Sequence, residues 1–78
     1  MMQRKPKTFW PRHTANIRVA TDEYGYYRAF VWREHEKGLW WGVSGLGFGR
    51  YVREFRGRLK NVKAAINEHL EAIAEGRL

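Results

Sequence analysis

Cysteine is absent from this 78-residue chain, serine occurs only at Ser44 and aspartate only at Asp22. Without cysteine there is no disulfide framework and no thiolate metal site. The three histidines (His13, His35 and His69) stand far apart in sequence and lack metal-ligand spacing, so no zinc site and no cofactor are expected. No apolar run approaches the ~20 residues of a membrane span. The opening MMQRKPKTFWPR is charged and has no apolar h-region, so no signal peptide is read. These absences lead to the expectation of a soluble protein in a reducing cytoplasm, without a membrane partner.

Acidic residues are scarce where basic ones cluster. Residues 1–14 hold four basic groups and no acid, and residues 48–63 hold six against one. The middle of the chain is balanced and its end is acidic, so two segments hold nearly all of the net charge of +7. Concentrated positive charge favours a phosphate backbone or an acidic protein surface as partner.

Residues 1–8 are polar and basic and read as a flexible tail; Phe9, Trp10 and Pro11 anchor a single domain over 9–78. A first strand is expected over 15–21, where Ile17 and Val19 alternate with Asn16 and Arg18. DEYG (22–25) is a turn. YYRAFVWRE (26–34) is a second strand, with Tyr27, Ala29 and Val31 on one face and Tyr26, Arg28, Phe30 and Trp32 on the other. Both faces are apolar enough to need cover. HEKG (35–38) closes a hairpin onto a third strand, LWWGVS (39–44), and RYVREF (50–55) is a fourth strand or a continuation around a bend. From 58 to 75, Leu59, Val62, Ile66, His69 or Leu70, and Ile73 recur at helical spacing, with Gly76 at the stop. The fold class expected is α+β, an antiparallel three- to four-stranded sheet against one C-terminal helix, β-β-β(-β)-α.

The glycine-rich stretch GLWWGVSGLGFGR (38–50) invites a chemical reading that its spacing refuses. It lacks the GxxxxGK of a phosphate-binding loop, and its glycines do not open a helix as a dinucleotide fingerprint requires. Gly42-Val43-Ser44-Gly45-Leu46 fails the nucleophile elbow at its last position. Gly45, Gly47 and Gly49, spaced by two, are instead expected to share one face of an extended segment and let another element approach. Glu34-His35-Glu36 falls at a hairpin tip, and His69 at the edge of the helix stripe, where both read as ordinary structural groups. No catalytic residue is assigned.

Binding chemistry concentrates in RYVREFRGRLKNVK (50–63). Arg50, Arg53, Arg56, Arg58, Lys60 and Lys63 fall along a strand and the first turns of the helix, where the dipole favours acids instead. Twelve aromatic residues exceed what so small a core needs, and those lying beside arginines suit base stacking or an interface hot spot. Trp40 and Trp41 point to opposite faces, so at least one lies away from the helix. Arg28, Arg33 and Trp40 join the six cations as expected partner contacts. The reading is a basic, non-catalytic binding module for a nucleic acid or an acidic or nucleic-acid-bearing protein complex, monomeric or homodimeric.

A three-stranded sheet with one packed helix resembles the small DNA-binding modules of plant AP2-type factors and of phage integrase arm-binding domains. That resemblance implies major-groove reading by the sheet, with Arg18, Arg28 and Arg33 on its face. In size and architecture the chain also resembles small phage-encoded proteins, anti-CRISPR proteins among them. This second resemblance implies an inhibitor that occludes a surface on a host defence nucleoprotein complex.

Overall fold

Period-two alternation and a helical stripe build one antiparallel sheet and one helix in the computed structural model, which describes residues 7–78. The tail expected over 1–8 falls, but for its last two residues, outside the described residues. Strands β1 (Arg12–Thr14), β2 (Ile17–Thr21), β3 (Tyr27–Trp32), β4 (Trp40–Ser44) and β5 (Arg53–Gly57) lie in the sheet in the order they occur in the chain. Helix α1 (Leu59–Ala74) follows. The α+β class, antiparallel sheet and C-terminal helix are as the sequence implies. The short β1, joined to β2 through an irregular register, adds a strand in front of those expected.

Side chains of directly opposed residues in an antiparallel pair share a face. The register Ala20↔Ala29, Ala29↔Ser44, Val31↔Gly42 and Gly42↔Phe55 therefore defines one face. The helix lies on it: Ala20, Ala29, Val31 and Trp40 form a buried core with Val62, Ile66 and Leu70. Burying each large aliphatic side chain stabilises by ~1.5–3 kcal/mol, which seats the helix although its N-cap, Arg58, makes no side-chain capping hydrogen bond. Trp10 fastens the entering chain to the helix, packing on the core and donating Nε1–H to Asn67 Oδ1 at 3.0 Å.

At Gly42 the helix lies close against the sheet. A Cβ built there would meet Val62 Cγ1 at 2.8 Å and Ile66 Cδ1 at 3.1 Å. The clearance expected of Gly45, Gly47 and Gly49 is present at the first two as well, where a Cβ would meet the Tyr51 carbonyl oxygen at 2.8 Å and His69 Cε1 at 3.2 Å (Gly45) and the Arg28 guanidinium (Gly47), but not in an extended segment. Those three take φ of +89°, +88° and +58° instead. They form a turn that leads into a 3-10 helical turn, Gly49–Tyr51. Residues 50–52 are consequently not a strand, and Arg50 leaves the alternation that residues 53–57 keep.

Candidate functional site

Among the described residues, the second face of the sheet carries no helix. Ile17↔Trp32, Val19↔Phe30, Phe30↔Val43, Trp32↔Trp41 and Trp41↔Arg56 place aliphatic and aromatic side chains together on it. Val19 is already buried, while Trp41 is 38% exposed. Phe30 and Trp32 tilt against each other with ring centroids 5.6 Å apart. The Arg56 guanidinium lies 4.4 Å from the centre of the Trp41 ring, a cation–π contact that fixes the indole. Two shallow hollows flank the Trp32–Trp41 pair. One is lined by Ile17, Phe30, Trp32 and Arg33; the other, beside the β3–β4 hairpin, by His35, Leu39, Trp41 and Arg56.

This geometry corrects the expectation for the adjacent tryptophans. Trp40, expected as a partner contact, is only 4% exposed. It points to the helix side, and the guanidinium groups of Arg33 and Arg18 sit 4.7 Å and 5.3 Å from its ring centre. Trp41 is the tryptophan on the open face. Alternation requires the pair to split, but only the position of the helix decides which member is covered.

Arg28 and Arg33 also differ from free binding cations. Arg28 bonds the Asp22 carboxylate at 3.1 Å and the Leu46 carbonyl at 3.0 Å, and its guanidinium sits 4.7 Å from the Phe48 ring centre. It ties the β2–β3 turn to the glycine turn. Asp22 is held below the usual carboxylate range: partial desolvation raises its pKa, but the Tyr26 and Tyr24 N–H groups and Arg28 outweigh it. Arg33 donates to Asn16 Oδ1 at 2.9 Å and to the carbonyls of Ala15 and Glu36, bracing two loops.

The six cations of residues 50–63 do not converge on one patch. Arg50 is in the 3-10 turn with its guanidinium 5.2 Å from the Tyr51 ring centre. Arg53 points to the helix side with Phe55, its guanidinium 5.5 Å from that ring centre, while Arg56 lies on the open face. Arg58 occupies the uncapped N-terminal boundary of the helix, Lys60 is exposed in its first turn, and Lys63 reaches over Trp10. The single focused anion site expected from the sequence is therefore a belt around the edge strand β5 and the start of α1. Among the described residues the ion pairs are Asp22–Arg28 and Glu75–Arg77, so none of these six cations is neutralised by a carboxylate.

One buried polar pair was not foreseen. His69 Nδ1 lies 2.8 Å from Ser44 Oγ, with Ser44 fully buried and His69 6% exposed. Burial first, and the Arg53 charge second, lower the His69 pKa below 6.5; a hydrogen bond to the Tyr51 carbonyl opposes them. The ring meets the Ser44 hydroxyl through Nδ1 and also bonds the Tyr51 carbonyl. One imidazole thus joins helix, β4 and the 3-10 turn. Their 25-residue separation hides the pair from any local pattern.

Among the described residues, no helix is long and apolar enough to cross a membrane, and no three His, Asp or Glu side chains gather to hold a metal. No family model, curated protein or solved structure matches the chain.

Proposed function

We propose that the chain is a small non-catalytic binding module for a nucleic acid or a nucleoprotein, engaging it through the cation belt of β5 and α1 together with the exposed aromatics. The observation that carries this reading is the unneutralised charge. Six cations between Arg50 and Lys63 lack carboxylate partners among the described residues, although the chain holds eight acids. Three of them (Arg58, Lys60 and Lys63) lead a helix with no acid in its first turn. That placement works against the helix dipole by ~0.3–1 kcal/mol per charge at low salt. An anionic partner reverses the sign of that term.

Fluorescence anisotropy against DNA and RNA at low and physiological salt tests the proposal. Three to five phosphate contacts give a slope of log K against log salt of roughly −2 to −4. Reversing the charge of Arg56, Arg58 and Lys60 together lowers affinity at least tenfold. Absence of binding to both nucleic acids at low salt refutes the naked-nucleic-acid form. Co-purification with a host nucleoprotein in that case assigns the chain as an inhibitor that occludes a surface of that complex.

A further inference from the structure

We propose that the open face of the sheet is a stacking platform for single-stranded nucleic acid, with Trp41 and Trp32 as neighbouring base sites and Arg56 at their margin. This rests on the nucleic-acid reading above and narrows it to strands whose bases are unpaired.

Position is the first argument. Trp32 and Trp41 are direct cross-strand partners on the face opposite the helix, so their side chains stand next to each other, with Cβ atoms ~4.5–5.5 Å apart. Both are set rather than loose. Arg56 lies over the Trp41 ring at 4.4 Å and Phe30 leans on Trp32 at 5.6 Å. Each indole therefore has a neighbour that fixes its angle before any ligand arrives.

Polar content is the second. Reading a duplex in the major groove requires donors and acceptors that reach base edges. In the register, Glu54 and Arg56 are the long charged side chains that β5 contributes to this face; β4 adds Trp41 and Val43, and β3 adds Phe30, Trp32 and Arg28, the last held by the Asp22 carboxylate and the Leu46 carbonyl. Aromatic rings offer π-faces, and the π-faces of duplex bases are already stacked on one another. A ligand that uses this surface has its bases free.

Charge selects between the remaining occupants. A second copy of the chain would bring +7 against +7, and like charge opposes that pairing. A polyanion meets Arg56 on the platform and continues along the exposed Arg58 and Lys60 beyond it. The same edge strand thus serves the bases on its face and the phosphates along its rim.

The test is anisotropy of short labelled oligothymidine and oligouridine against a duplex of matched length, with tryptophan emission followed in the same titrations. The expected result is tighter binding of the single strands, quenching of tryptophan emission, and roughly tenfold or greater loss for Trp41→Leu, the scale of one stacked base. Trp41→Phe keeps most of the affinity. A preference of oligouridine over oligothymidine, or the reverse, identifies which single strand is the ligand. Equal or tighter duplex binding, with Trp41→Leu unaffected and the charge reversals still damaging, overturns the platform and leaves the basic belt standing. No binding of any nucleic acid overturns the platform together with the naked-nucleic-acid form of the proposed function. A dimer in sizing chromatography that Trp41→Leu dissolves assigns the face to a second copy and overturns the platform. Far-UV circular dichroism verifies the fold of each variant. Should Trp41→Leu unfold, quenching in the unaltered protein decides: saturating single strand without quenching overturns the proposal.

Discussion

Gly42→Ala tests the seat of the helix on the sheet most directly. The added Cβ lies 2.8 Å from Val62 Cγ1 and 3.1 Å from Ile66 Cδ1, against an optimum of ~3.5–4.0 Å for carbon pairs. Ile66 can swing its terminal methyl aside. Val62 cannot, because a β-branched residue in a helix has essentially one χ1 rotamer, so helix or strand must shift. Both neighbours belong to the buried core, at 2% and 0% exposure. Overpacking of this kind costs ~1–3 kcal/mol, and replacing glycine inside a strand returns ~0.5–1 kcal/mol of backbone entropy. The net expectation is a destabilisation of about 1–2 kcal/mol, seen as a fall in Tm of roughly 5–15 °C for a domain of this size. Thermal and denaturant unfolding followed by far-UV circular dichroism measure it. Val62→Ala opens the space that Gly42→Ala fills, so the double variant loses less than the two single losses combined, by at least ~0.5 kcal/mol. A Gly42→Ala protein as stable as the parent, or strictly additive losses, would show that the helix does not bear on β4 at this point.

The buried Ser44–His69 pair makes stability depend on pH. The folded pKa of His69 is lowered, so its contribution is fully present above the unfolded value of about 6.5 and is lost as pH falls through the folded value. Denaturant midpoints should drop between about pH 7 and pH 5, and His69→Gln should flatten that slope; an unchanged slope refutes the assignment. Asp22 acts lower on the scale: with its folded pKa depressed, its stabilisation holds above about pH 4 and fades below. Asp22→Asn should lower Tm near neutrality and remove that acid limb, as thermal melts across the range will show. Arg58→Asp supplies the missing cap and complements the dipole, raising stability by ~0.5–1 kcal/mol, while anisotropy at low salt should show weaker nucleic-acid binding. Gains in both stability and affinity would contradict the role given to the belt.

Local periodicity made most of the scaffold legible. Alternation located β2, β3 and β4 to within a few residues, and the helix expected over 58–75 is Leu59–Ala74. The faces of β3 also read correctly, because Ala29 and Val31 against Phe30 and Trp32 is a property of the chain alone. Tertiary facts were not legible in this way. That Trp41, and not Trp40, is exposed depends on which side the helix takes. The glycines after Ser44 have strand-like spacing, yet their positive φ values make a turn, and spacing carries no information about φ. The arginines looked like one patch because they are close in sequence. Alternation sends Arg53 and Arg56 to opposite faces, and the 3-10 turn removes Arg50 from both.

The strand order has a consequence for how the molecule is made. Each strand pairs only with its neighbours in the chain, from β1 through β5. No pairing waits for a distant segment, so loop-closure entropy is low at every step and folding should be fast for a sheet protein. During synthesis the hairpins form in order as they emerge. The helix comes last, and until Val62, Ile66 and Leu70 arrive, both faces of the nascent sheet are uncovered. The C-terminal twenty residues therefore close the core late, and a chain stalled before them would present the same apolar surface on two sides.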